Sequence, residues 1–247
     1  MAQTLYTLYV WILFIPLSVL STVFFGLVCL LIAPALGPRR TSRLTAVPWA
    51  RLGLLLSGIR VELEGMDRIR PGQSYVVVAN HLSHLDIWVL YGYLGLDIRW
   101  VAKQELRRVP VVGIACVALG HVFIDRSDHD KAMASLDAAK NRITDGTSII
   151  FFPEGTRSYS GEVQAFKKGA FRMARDLDLP VLPVTLSGTR ARLRRGSAAL
   201  NPGPVRMEIH DPIPVHGRSV EELAEACRDR IISGQQACPA TPRVGSG

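Results

Sequence analysis

The segment Asn80-His81-Leu82-Ser83-His84-Leu85-Asp86 puts a carboxylate five positions beyond a histidine. An imidazole can accept a proton from a hydroxyl near neutral pH. A carboxylate folded back onto the ring holds one tautomer and stabilises the imidazolium that forms. The spacing alone is weak evidence, because a capping or hydrogen-bonded structural histidine also satisfies it. Its position carries more weight: the segment follows a Val-rich run at 74–79, and a strand end opening toward a helix is where α/β folds place ligands. His81, His84 and Asp86 are also conceivable metal ligands, but no HExxH pattern and no cysteine cluster completes a shell.

Three further segments carry charge out of apolar runs. Phe151-Phe152-Pro153-Glu154-Gly155-Thr156-Arg157-Ser158 leaves a strand through a turn that can aim backbone N–H groups and a guanidinium fork at one anion. Gly120-His121-Val122-Phe123-Ile124-Asp125-Arg126 brings a second arginine to a strand end, and Phe166-Lys167-Lys168-Gly169 opens a helix with two cations. Each alone reads as a solvated loop. Together they bring positive charge repeatedly to the same end of a sheet.

The elements that would position these residues alternate. Residues 60–63, 74–79, 98–102, 121–124, 148–152 and 181–186 read as strands, and 128–144 and 166–177 show helical spacing, with Ser127 or Asp128 as cap. A late strand at 204–209 and a late helix at 220–232 follow. The pattern predicts an α/β domain with a largely parallel sheet flanked by helices over 59–233, and a flexible tail over 234–247.

The amino-terminal part is different in kind. Among 247 residues with a formal net charge of +8, no charged side chain precedes Arg39. Residues 8–33 are uncharged and mostly apolar, long enough to cross a hydrocarbon core about 30 Å thick. They lack the features of a cleaved signal peptide. Residues 1–58 are therefore expected to be a membrane anchor. Pro16, Pro34 and the short apolar stretch at 46–58 leave a helical hairpin in one leaflet as the alternative to a span. Arg39, Arg40, Arg43 and Arg51 predict that the remainder lies on the cytoplasmic side. The basic balance suits nucleic acid, an anionic membrane surface or phosphorylated small molecules, and arginine far outnumbers lysine. The four cysteines form no CxxC pair and suggest neither a zinc site nor a disulfide framework.

NHLSHLD, GHVFIDR, FFPEGTRS and LPVLPVTLSGT, in this order within roughly residues 60 to 215, resemble the four motif blocks of the glycerolipid acyltransferase family. The resemblance implies transfer of an acyl chain from acyl-CoA or acyl-carrier protein to a glycerophospholipid hydroxyl. Lysophosphatidic acid would be the acceptor and phosphatidic acid the product, at a phospholipid membrane, with the thioester as co-substrate and no cofactor or metal. It matches His81 and Asp86 to the catalytic pair and Arg126 to the second block's arginine. Glu154, Gly155 and Arg157 match acceptor-binding residues of the third block, with Thr156 between them, and Lys103 lies in a segment common in this branch. On this reading His81 is the general base, a role worth about 10² to 10⁴ in rate. Arg126, Arg157 and Lys103 hold the acceptor phosphate, Glu154 bonds the glycerol, and N–H groups near Gly155 face the oxyanion. The same motifs suit another lyso-lipid acceptor such as lyso-ornithine lipid. A noncatalytic lipid-binding module has no use for the histidine and aspartate, a serine hydrolase would need a GxSxG elbow that is absent, and no RNA-binding aromatic block points to nucleic acid.

Overall fold

Strand β2 (Val76–Ala79) has no exposed residue, and its β-branched side chains alternate between two apolar clusters, as a strand buried on both faces requires. The computed structural model describes residues 2–125, 127–197 and 199–237. Around β2 the described strands β1 (Ile59–Glu64), β3 (Asp97–Lys103), β4 (Val122–Ile124), β5 (Thr147–Phe151), β6 (Val181–Ser187) and β7 (Gly203–Ile209) form one sheet in the order β1-β7-β6-β2-β5-β3-β4. The five strands from β6 to β4 are mutually parallel, so their carboxyl ends share one edge. β7 runs antiparallel to β6 and parallel to β1. The expected α/β architecture is present.

One face of the sheet is covered by α4 (Leu85–Tyr93), with α3 (Ala46–Leu56) packed on it and α2 (Ile15–Leu44) beyond. The other carries α6 (His129–Ala139), α7 (Gly169–Asp176) and α9 (Val220–Ala237). Asp128 caps α6 by accepting the Lys131 N–H at 3.1 Å. Helix α7 begins three residues later than its spacing predicts, and the Lys167 N–H ahead of it donates to the Pro153 carbonyl at 2.9 Å. Residues 234–237, expected in the tail, instead close α9: Gly234 packs so near β6 that a Cβ would lie 2.6 Å from Thr185 Oγ1. The rest of the tail lies outside the described residues.

The apolar run is built into this fold. Helix α1 (Ala2–Tyr9) continues through a π turn at Val10–Phe14, which accommodates Pro16 and its missing N–H, into α2. α2 is broken again at Gly37, φ 71° and ψ 168°, between Pro34 and Pro38. Tyr6 and Tyr9 donate to the Ser57 and Leu56 carbonyls at 3.1 and 2.7 Å, and Trp49 Nε1 donates to Thr22 Oγ1 at 2.9 Å. At the far end Arg39 donates to the Asp145 carbonyl at 2.7 Å and lies 3.4 Å from Asp97. Val10 and Cys29 belong to the same buried cluster as Leu90 and Leu182. Its sequence separation from the motifs suggests a detachable anchor; its packing makes it part of the core. The outward side remains apolar, with Trp11, Ile12, Leu20, Phe24 and Leu31 exposed, and Tyr6–Leu56 has the length and composition to cross a membrane.

His121 shows how a polar residue is accommodated inside. Its Nδ1 accepts the Trp100 N–H at 3.3 Å, so Nε2 carries the proton and donates to the Tyr91 hydroxyl. Burial, reinforced by the positive Arg99, brings its pKa down from 6.5 to about 3. A depressed folded-state pKa means stability that is present above about pH 6.5 and is lost as pH falls toward 3. Denaturant titrations in detergent should therefore show a slope approaching about 1.4 kcal/mol per pH unit between roughly pH 6 and 4. In His121→Leu the slope should flatten, whatever the variant's absolute stability; an unchanged slope would place the responsible proton elsewhere.

Candidate active site

At the end of β2 the side chain of Asn80 acts as one more backbone unit. Its Nδ2 donates to the Leu186 carbonyl at 2.9 Å, and its Oδ1 accepts the Leu186 N–H at 2.8 Å. Pairing with β6 is thereby closed, and the chain turns at His81 toward α4. In that helix's first turn Asp86 is fully buried, and its Oδ2 accepts three N–H groups: Leu82 at 2.6 Å, Ser83 at 2.8 Å and His81 Nδ1 at 2.8 Å. Because the carboxylate only accepts, Nδ1 carries the ring proton and Nε2 is left with a lone pair. Phe152 stacks on the imidazole, centroids 3.9 Å apart and planes 9° from parallel, which stops the ring from swinging.

The turn after β5 grips the same histidine by its backbone. Glu154 accepts the His81 N–H at 2.8 Å with Oε1 and the Gln164 N–H at 3.0 Å with Oε2, while the Ser158 N–H donates to the His81 carbonyl at 2.9 Å. Glu154 is buried, and desolvation raises its pKa against the pull of those N–H groups. Each oxygen of the carboxylate expected at the acceptor thus already holds one backbone N–H, tying the loop to the histidine. Gly155, at φ 76°, lets the turn close, with its own N–H bonded to the Phe152 carbonyl at 3.0 Å. Of the N–H groups near Gly155, that donor is therefore already used inside the turn. The following N–H groups, of Thr156 and Arg157, meet no acceptor among the described residues.

Arg157 is half-buried beside the pair, and no carboxylate lies within ion-pair distance of it among the described residues. Burial and the like charge of Arg195 lower its pKa, and its charge in turn helps burial to lower that of His84. Arg195 holds this stretch from the side, donating to Thr156 Oγ1 and the Arg157 carbonyl at 2.8 Å each while lying 4.0 Å above the Tyr159 ring. Lys103 ends β3 at the same sheet edge, paired with Glu105 at 2.8 Å. Arg126 lies outside the described residues. The structure thus brings His81, Asp86, Glu154, Gly155, Thr156 and Arg157 together. It adds Asn80, Phe152, Ser158 and Arg195, which sequence reasoning missed. Asn80, Phe152 and Ser158 stood inside quoted motifs, but nothing local marked their partners.

A doubly covered α/β sheet with an apolar helical layer carries at one edge a buried carboxylate orienting a histidine beside an arginine, the arrangement of a general base next to an anion site. The family model for acyltransferases matches residues 60–187, and the chain belongs to that family. It is 33% identical over 176 residues, 70% of its length, to a 1-acyl-sn-glycerol-3-phosphate acyltransferase of Chlamydomonas reinhardtii, and 32% identical over 177 residues, 71% of its length, to the human enzyme of that name, alpha form. These matches span 52% and 62% of the relatives' own length. Its fold is similar to the crystal structure of the 1-acyl-sn-glycerophosphate (LPA) acyltransferase PlsC from Thermotoga maritima, with TM-score 0.82, 29% identity, and coverage of 95% of this chain and 97% of that one.

The two N–H bonds to Glu154 generate a test. Glu154→Gln replaces an acceptor with an amide donor, leaving either the His81 or the Gln164 N–H unsatisfied at a cost of about 1–3 kcal/mol. A positioning role predicts a fall in kcat with little change in the KM of the lipid acceptor. A rise in acceptor KM at constant kcat would instead return Glu154 to ligand binding.

Proposed function

We propose that the protein transfers the acyl chain of an acyl thioester to the sn-2 hydroxyl of 1-acyl-sn-glycerol 3-phosphate, lysophosphatidic acid, giving phosphatidic acid. The observation that carries this reading is the bond from His81 Nδ1 to Asp86 beside the unneutralised Arg157: a base whose free nitrogen is defined, next to a fork for phosphate. His81 Nε2 takes the hydroxyl proton as the oxygen attacks the thioester carbonyl, and Asp86 stabilises the imidazolium. The carbon–sulfur bond then breaks, and the imidazolium returns the proton to the departing thiolate. The Thr156 and Arg157 N–H groups are the donors that the turn offers to the tetrahedral oxyanion. Arg157, with Lys103 and Arg126, serves the acceptor phosphate by charge-assisted, forked hydrogen bonds. Acyl-CoA and acyl-carrier protein both supply the required thioester.

The test is acyl transfer by the purified protein to lysophosphatidic acid and to lyso-ornithine lipid of matched chain length. His81→Ala and Asp86→Asn are expected to lower kcat by about 10²-fold or more in folded protein. Arg157→Ala is expected to weaken the phosphate-bearing acceptor by about 10- to 100-fold. Near-normal turnover in His81→Ala would remove the base from the mechanism. Faster reaction with lyso-ornithine lipid would move the protein to another acceptor within the family.

The apolar helices are read as lying in the cytoplasmic leaflet with the sheet on the cytoplasmic side. Supporting this are the tethers at both ends of the run, at Tyr6 and at Arg39, together with the arginines at 39, 40, 43 and 51. A helix crossing the bilayer would carry one end about 30 Å from the domain. Single cysteines placed at positions 2 and 40 of a variant lacking its native thiols should be labelled from the same side of sealed vesicles. Labelling from opposite sides would establish a span.

A further inference from the structure

Phe152, whose ring stacks on His81, also lines a cavity of about 540 Å³ on the sheet face opposite the apolar helices. Val101, Ile124, Leu136 and Phe151 give it an apolar inner wall. Three cations and one carboxylate stand at its border: Lys167 and Lys168 just before α7, Arg172 within α7, and Asp128, which is paired with Lys131 at 3.0 Å. Lys167 and Arg172 are in no ion pair among the described residues, whereas Lys168 is engaged by Glu221. Lys167 lies directly against the motif turn, where a Cβ on Gly155 would come within 3.0 Å of its Nζ. A slot with apolar walls, touching the active turn and bordered by two uncommitted positive charges, fits a slender ligand that ends in a phosphate.

Two reactants must meet at His81. On the acyl-transfer reading the lipid acceptor's chain belongs with the exposed apolar side chains of α2, such as Leu20, Phe24 and Leu31. The acyl donor is carried by a water-soluble group, so the opposite face is its approach. We propose that this cavity binds the phosphopantetheine arm of the acyl donor, with Lys167 and Arg172 on the arm's phosphate and the arm passing Phe152 to bring the thioester to His81. The proposal rests on the acyl-transfer reading above and assigns its second substrate a place. The same arm terminates coenzyme A and acyl-carrier protein, so the cavity serves either source.

The experiment compares four donors carrying one acyl chain with full-length protein and lysophosphatidic acid: acyl-pantetheine, acyl-4′-phosphopantetheine, acyl-CoA and acyl-carrier protein. The arm's phosphate is expected to lower the donor KM by about 10- to 100-fold, and Lys167→Ala/Arg172→Ala should abolish most of that advantage without raising the acceptor KM. Both complete carriers should lose affinity together in the variant. Thermal melting confirms its fold, and Ala132→Trp, which fills the cavity and spares the cations, should raise the KM of all four donors. Three results would overturn the assignment: no benefit from the phosphate, a rise in acceptor KM instead, or a loss confined to one carrier, which would put the cations on that carrier's own surface. Absence of transfer from every donor would sink the acyl-transfer reading instead. Calorimetry with unacylated 4′-phosphopantetheine tests the cavity in that case, since binding weakened by the same variant supports it and no binding ends it.

Discussion

A carboxylate with no exposed surface is costly unless its charge is met, and at Asp86 a single oxygen gathers three N–H groups from the residues immediately before it. The requirement shapes the loop. Residues 81–83 must curl around the start of α4, which places the imidazole and two successive amides on one acceptor. The strand must stop at Asn80, whose amide completes the ladder to β6 where the backbone leaves it. The turn after β5 must come close enough for Glu154 and Ser158 to hold the two sides of the His81 peptide backbone. The loop that Asp86 gathers is thus tied by Asn80 to β6 and by Glu154 and Ser158 to the turn after β5.

The sheet makes that convergence possible. Parallel strands deliver their carboxyl ends to a common edge, and β2 sits between β5 and β6, so the histidine loop has a neighbour on either side. The glutamate's raised pKa and the lowered pKa of Arg157 reflect the same dehydration. Electrostatic interactions in such surroundings are stronger than in water, which suits a site built to hold a proton and an anion close together.

Much of this was legible in the sequence. The strand at 74–79 and the spacing from His81 to Asp86 are local features, and local periodicity and a strand end suffice to find them. The turn at 151–158 announces itself through its glycine, acid and arginine. What stayed hidden depends on long-range register: Asn80 meets Leu186, Glu154 meets His81, and Arg195 meets Arg157, and in each case the partner is set by which strands lie side by side. Glu154 is the case in point: its place in the turn is local, but the two backbone N–H groups on its oxygens come from residues 73 and 10 positions away. The packing of the amino-terminal helices was likewise out of reach. Hydropathy reports that they are apolar, but not that Tyr6 and Trp49 bind them to one another or that Arg39 ties them to Asp145 and Asp97 of the α/β domain.

Those fastenings have a mechanical consequence. A catalytic domain on a flexible tether tumbles beneath a bilayer and meets lipids at every angle. Here the helix that offers Trp11, Phe24 and Leu31 outward is continuous with the packing that fixes α4, and α4 carries Asp86. The depth and tilt of the imidazole are therefore set relative to the apolar surface by the fold itself. On the proposed reading, encounter with a lipid resting against that surface would become a search in two dimensions at one fixed height, with the thickness of the helical layer as the gauge.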